Sequence, residues 1–150
     1  MPNAIDMLKA DHEKVKELFH HYEAAGDRAH QKKKSIAEEV FTELEVHTTL
    51  EKEIFYPARK RKADQDGEDL VAEVLEEHHI VAVLIEELKS LDPTDERYDA
   101  KFKVLRENVE HHIEEEEEEM LPEAEEVIGA QLQRLSRRMQ DRKEELMAAF

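Results

Sequence analysis

The 150-residue chain has the size of one domain, and its composition favours helices: 41% of the residues are charged, with 3 Gly, 4 Pro and no Cys. The net charge of −17 argues against nucleic acid or an anionic membrane as the main partner, and the lack of Cys excludes disulfides and thiolate metal ligands. Residues 1–20 are charged and amphipathic, and no apolar run approaches the roughly 20 residues of a membrane span, so we expect a cytoplasmic protein.

Five helices are predicted from apolar stripes whose members are alternately three and four residues apart. The predicted helices cover residues 3–25, 32–62, 68–91, 96–121 and 130–149. They are separated by residues that disfavour helix, namely Gly26-Asp27, residues 64–67, Asp92-Pro93 and Gly129. Asp92 is expected to cap the fourth helix with Pro93 at its first position. Pro57 and Pro122 should kink or end the helices in which they lie.

The stripes of the first two helices recur in the next two. A shift of 66 residues places the first stripe on the third, and a shift of 65 places the second on the fourth. The matched polar residues are His12 with His78, His47 with His112, and Glu51 with Glu116. The same offsets select His78 over His79 and His112 over His111 as inward-facing residues. The repeat predicts an all-α, up-down-up-down four-helix bundle over residues 1–127, with a C-terminal amphipathic helix at 128–150 packed on the same domain.

Six polar residues occupy positions of these stripes that are otherwise apolar. They are His12, His47, Glu51, His78, His112 and Glu116. Residues equidistant from a hairpin turn lie at one height, and His and Glu at i and i+4 share a helix face, so all six should form one layer. Burying an unpaired carboxylate or imidazole costs at least about 1–3 kcal/mol, which favours a bound cation.

The residue types in this layer favour a dinuclear metal site. Imidazoles supply neutral nitrogen ligands, and carboxylates from two different helices can each span two ions. Six candidate ligands exceed what a lone structural zinc requires, so the residues favour a dinuclear iron or manganese centre. The competing interpretation is a metal-free bundle with a buried hydrogen-bond network.

Four segments that carry these residues resemble the hemerythrin-like, cation-binding HHE family of bacteria. The segments are DHEKVKELF, HTTLEKEIFYP, EEHHIVAVLIEEL and HHIEEEEEEMLP, within residues 3–122. The resemblance implies a four-helix bundle that holds two non-haem iron ions with an oxo or hydroxo bridge, the two glutamates bridging the irons. Oxygen-carrying members use a fifth histidine four residues after the third-helix histidine, where this chain has Ala82. Water, another carboxylate or a tyrosine is left to complete the ligand set.

Glu119 is the first candidate for an extra ligand or a residue lining the site, because it replaces Ile54 of the other repeat near the stripe. The resemblance implies a protein that binds or senses O2, NO or peroxide, or that buffers iron. A di-iron enzyme that consumes peroxide or repairs iron centres is the first alternative, and a metal-free interaction bundle is the second. Tyr22 and Tyr56 are interpreted as packing residues.

Overall fold

The computed structural model describes residues 2–60 and 65–150, and within these ranges it contains helices and no strand. The helices are α1 (Ala4–Ala24), α2 (His30–Leu50), α3 (Tyr56–Lys60), α4 (Gln65–Lys89), α5 (Glu96–Glu115), α6 (Leu121–Ile128) and α7 (Leu132–Ala148). Helices α1 and α2 pair as one hairpin, and α4 and α5 pair as the second. The predicted all-α four-helix bundle is therefore confirmed. No described helix combines the length and apolar character needed to cross a bilayer.

The helix ends follow from local chemistry. Asn3 caps α1 by accepting a hydrogen bond from the Asp6 amide, and the Asp6 carboxylate accepts one from the Asn3 amide. Gly26 follows α1 at φ +84°, a left-handed conformation that glycine adopts without a side-chain clash.

Two predicted boundaries are wrong. The N-cap of α5 is Asp95, which accepts from the Arg97 amide, whereas Asp92 accepts from Thr94 in the preceding turn. A short polar side chain can cap a turn as readily as a helix, so the sequence does not distinguish these positions. Helix α4 already begins at Gln65, within the predicted turn at 64–67, while residues 61–64 lie outside the described residues.

Each of the two helical segments that contain an internal proline also contains one π-type turn, which is wider than an α-helical turn. These turns cover Glu51–Phe55 and Glu116–Met120, and each begins at a glutamate of the polar layer. The Tyr56 amide bonds the Glu51 carbonyl five residues back, and the Leu121 amide bonds the Glu116 carbonyl in the same way. Pro57 and Pro122 each lie two residues beyond the end of such a turn. The chain therefore stays helical across residues that lack an N–H, and the π-type turn is the local irregularity.

The polar layer divides the core into two hydrophobic clusters. One contains Val15, Phe19, Leu44, Leu105 and their neighbours, and the other contains Leu8, Leu50, Phe55 and Met120. Helix α7 packs on the second cluster through Leu132, Leu135 and Met139. Burial of these apolar side chains holds both hairpins and α7 around the layer.

Candidate metal centre

The structure brings the six polar residues of the stripes together in the interior. Glu51 and Glu116 are fully buried, and three of the histidines are at most 7% exposed. The fourth, His78, has a side chain that is 10% exposed. Their neighbours His79 and His111 are exposed. The helical period and the internal repeat therefore identified which histidine of each pair lies inside.

The six residues divide into two groups of three, and each group combines both hairpins. His12 and His47 of the first hairpin join Glu116 of the second. His78 and His112 of the second hairpin join Glu51 of the first. Within each group, one nitrogen or oxygen atom from each residue lies within 4.8 Å of the others, a separation that one ion could bridge. Each group thus takes its two histidines from one hairpin and its glutamate from the other.

Each glutamate also contacts the histidines of the other group. Glu116 Oε1 lies 3.2 Å from His12 Nε2, and its Oε2 lies 3.0 Å from His112 Nε2. Glu51 Oε1 lies 3.3 Å from both His47 Nε2 and His78 Nε2. A carboxylate between two imidazole pairs can ligate one ion with each oxygen, as a bridging carboxylate does.

Several of these atoms are buried without a hydrogen-bond partner in the described structure. They are His12 Nε2, His47 Nε2, both carboxylate oxygens of Glu51, and Glu116 Oε1. The nitrogen and oxygen atoms approach to 3.2 and 3.3 Å, but the geometry does not suit hydrogen bonds. Leaving buried polar atoms unpaired costs about 1–3 kcal/mol each, and a cation would satisfy their lone pairs. Nitrogen and oxygen donors of this kind fit iron or manganese.

Three carboxylates orient the histidines from outside the layer. Asp11 Oδ2 lies 3.0 Å from His47 Nδ1, Glu77 Oε2 lies 3.3 Å from His112 Nδ1, and Glu117 Oε2 lies 3.1 Å from His12 Nδ1. A carboxylate accepts the Nδ1 proton and thereby leaves Nε2 free to bind a metal. Sequence reasoning missed all three. The repeat contained a signal for two of them, because Asp11 and Glu77 directly precede His12 and His78 at the 66-residue offset.

The electrostatics of the layer favour a bound positive charge. Burial disfavours the charged imidazolium of His47, but Glu51, Asp11 and Glu116 outweigh it and raise its pKa to about 10. Burial also opposes ionisation of Glu51, yet His47, Glu116 and His112 hold its pKa well below the usual value. Without a metal, protons thus supply the positive charge, and a metal would displace them on binding.

Tyr56 contacts the layer, although its sequence position suggested packing alone. Its buried hydroxyl donates a 2.8 Å hydrogen bond to Glu116 Oε2, and its ring packs against His78. Burial and the nearby Glu51 and Glu116 raise the pKa of Tyr56 well above its ordinary value, so the phenol keeps its proton. Both of its neighbouring carboxylates belong to the layer, which a helical-wheel argument does not reveal because the π-type turn rotates Tyr56 inward.

Glu119 is not brought to the layer. Its side chain is exposed, whereas the next residue, Met120, is 1% exposed in the core. The π-type turn at Glu116–Met120 adds a residue to the local helical period and so shifts the inward position from 119 to 120. A regular period of 3.6 residues left both positions open.

A small cavity lies beside the layer on the side of the first hydrophobic cluster. Its volume is about 20 Å³, and its apolar wall includes Val15, Leu44, Val81, Val109 and Ile113. His47 and His112 also line it. This volume suits one water-sized or diatomic molecule.

Comparisons with known proteins agree with this geometry. Residues 3–124 match the sequence profile of the hemerythrin HHE cation binding domain. A crystal structure of a hemerythrin HHE cation binding domain-containing protein from Mycobacterium kansasii superposes with a TM-score of 0.85 at 26% identity, over 99% of this chain and 90% of that chain. A DNA nickase from Nostoc sp. is 27% identical over 115 residues, which are 77% of this chain and 31% of that protein.

The chain therefore spans about a third of the nickase that it matches. The family profile, in contrast, covers most of the chain and includes all six residues of the layer. Membership in a cation-binding family favours a metal centre over the metal-free bundle. This chain belongs to the hemerythrin HHE cation-binding domain family.

Proposed function

We propose that this metal-binding protein is a cytoplasmic non-haem di-iron protein that binds or senses O2, NO or peroxide, or buffers iron. The observation that carries the proposal is the contact of Glu51 and Glu116 with both imidazole pairs, at 3.0 to 3.3 Å. A single ion would use one group of three and leave the other group's buried donors unsatisfied. Two ions would use all six residues, with His12 and His47 on one and His78 and His112 on the other.

When bound, the iron pair would supply redox chemistry and an open coordination position for a small molecule. The residues of the chain do the remaining work. Asp11 and Glu77 accept the Nδ1 protons of two ligand histidines and fix the direction of Nε2. Val15, Val81 and Val109 restrict the adjoining cavity to about 20 Å³, a size that admits a diatomic ligand and excludes larger organic substrates.

The test is metal analysis combined with an optical spectrum of the purified protein, recorded without oxygen and then with O2, NO and peroxide. We expect about two metal ions per chain, mainly iron, and a spectral change with at least one of the three ligands. Two manganese ions would support the site and change the metal assignment. One ion per chain would contradict the dinuclear centre. Two ions whose spectrum responds to none of the three ligands would contradict binding or sensing of O2, NO or peroxide.

One observation favours a di-iron enzyme as a second candidate. The Tyr56 hydroxyl keeps its proton next to Glu116, at 2.8 Å, and is the one described phenol that contacts the layer. A phenol O–H beside the metal positions suits donation of a hydrogen bond to an oxygen atom of a peroxide. Sustained consumption of peroxide would support the enzyme, whereas a single stoichiometric spectral change would support binding.

We do not extend the nickase activity of the Nostoc relative to this chain. The matched region covers 31% of that protein. In addition, a net charge of −17 would repel the phosphate backbone of DNA.

A further inference from the structure

A lysine of the C-terminal helix reaches the outer carboxylate of one metal position. Lys143 Nζ on α7 lies 2.9 Å from Asp11 Oδ1, and the other oxygen of Asp11 lies 3.0 Å from His47 Nδ1. The Asp11 side chain is 10% exposed and that of Lys143 is 29% exposed, so this charge pair is partly shielded from water. A chain of contacts thus runs from α7 to a candidate ligand, and α7 lies beyond the matched family region at residues 3–124.

The internal repeat offers a built-in comparison. Glu77 stands where Asp11 stands in the first half, and it contacts His112 Nδ1 as Asp11 contacts His47. The further neighbours of Glu77 are Glu115 and His111. Among the described side chains, no lysine or arginine forms an ion pair with Glu77. Of these two carboxylates, Asp11 shares its charge with a lysine, whereas Glu77 pairs with no described lysine or arginine side chain.

This difference has a chemical consequence. A carboxylate that accepts the Nδ1 proton pushes electron density into the imidazole and makes Nε2 a better donor to a metal. A lysine bound to the same carboxylate draws that density away and adds a positive charge near the ion. Both effects oppose metal binding at His47 more strongly than at the group of Glu51, His78 and His112, which Asp11 does not contact.

We propose that Lys143 is a positioning residue that selectively weakens the metal position formed by His12, His47 and Glu116, acting through Asp11. The inference rests on the proposed two-metal centre. It makes the C-terminal helix a tuning element that renders the two metal positions unequal. The position under the control of Lys143 gives up its metal more readily than it would without the lysine.

The experiment titrates metal-free protein with Fe2+ alone, without oxygen and at one fixed pH, against a competing chelator. We expect Lys143→Met to tighten one of the two binding steps about three- to tenfold and to change the other step less. This change is smaller than the 10- to 100-fold loss expected for Asp11→Asn, because Lys143 acts one contact further from the ligand. Methionine keeps an unbranched apolar stem and removes the charge.

Two controls separate the charge from the packing of α7. Lys143→Arg keeps the positive charge and should reproduce the wild-type binding steps. Arg142→Met breaks the neighbouring pair between α7 and Glu53, which has distances of 2.9 and 3.1 Å, without touching Asp11. It should loosen the docking of α7 and leave both binding steps unchanged. Lys143→Met should tighten binding less in an Asp11→Asn background than in the wild type, because the part of its effect that acts through the carboxylate is absent there.

The outcomes are distinct. Weaker binding in Lys143→Met, an equal change in both steps, or an unchanged titration would overturn the role of Lys143. The same tightening in Arg142→Met would assign the effect to loosening of α7 and would also overturn it. A single Fe2+ per wild-type chain would instead overturn the two-metal centre on which the inference rests.

Discussion

His111 and His112 follow one another on α5, yet only His112 belongs to the proposed centre. The side chain of His111 is 73% exposed. His112 is 7% exposed and directs Nε2 at Glu116 Oε2, 3.0 Å away. We expect His112→Ala to weaken metal binding and His111→Ala to leave it unchanged, although each variant removes one imidazole.

The expected loss of metal affinity in His112→Ala depends on the ligands that remain at that position. Without His112, that position keeps Glu51 and His78. Changes to the outer partners of ligands already cost 10- to 100-fold in affinity, so loss of a ligand should cost about 100-fold or more. At saturating metal, a 100-fold loss removes about 2.7 kcal/mol of metal-linked stability. For a protein of this size, the Tm in the presence of metal should fall by roughly 5–11 °C. The exposed His111→Ala change should stay within about 0.5 kcal/mol.

The assay has two parts. Metal bound per chain is measured by mass spectrometry after dialysis against a chelator, and thermal unfolding is followed by circular dichroism with metal and with excess chelator. In excess chelator no metal stabilises either protein. The part of the Tm difference between the wild type and His112→Ala that depends on metal should therefore disappear. The assignment of His112 as a metal ligand is refuted if His111→Ala loses as much metal as His112→Ala, or if His112→Ala keeps the wild-type metal content and metal-linked Tm.

Three further predictions concern the layer and the frame around it. Glu116→Gln should lower the metal content at both positions, because Glu116 contacts both imidazole pairs; Glu118→Gln, at an exposed position of the same acidic segment, is the control and should retain two ions. Gly26→Ala should reduce the free energy of unfolding by about 1–2 kcal/mol, because φ is +84° there, and an unchanged urea midpoint would contradict this. In metal-free protein, Asp99 should stabilise the fold at neutral pH and lose that effect in acid. Burial opposes ionisation of Asp99, but hydrogen bonds from Tyr22 and Lys33 lower its pKa below 3.8. Its contribution is therefore present above about pH 4 and lost as the pH falls through the lowered value. Urea unfolding of wild type and Asp99→Asn should show a stability gap at pH 7 that shrinks below pH 4, and a gap independent of pH would contradict the assignment.

The interior positions of the layer were accessible from the sequence because helical periodicity is local. Inward-facing positions recur every three or four residues along each helix. The offset of 65 or 66 residues between the two halves identified the same inward-facing positions independently. Together they chose His78 over His79 and His112 over His111 without any knowledge of the packing. The pattern left positions 119 and 120 open. The π-type turn at Glu116–Met120 leaves Glu119 exposed and Met120 buried, and its hydrogen bonds are a property of the folded helix.

The sequence by itself determined the helical class, the four-helix bundle and the set of polar residues that face inward, since all three follow from periodicity and repetition along one chain. The tertiary structure decided how the hairpins share these residues. Pairing Glu116 with His12 and Glu51 with His78 requires contacts between helices that are far apart in the chain. The same holds for Asp11, which reaches His47 on one side and Lys143 of α7 on the other. Such contacts depend on the height and rotation of packed helices, which a single helix pattern does not specify.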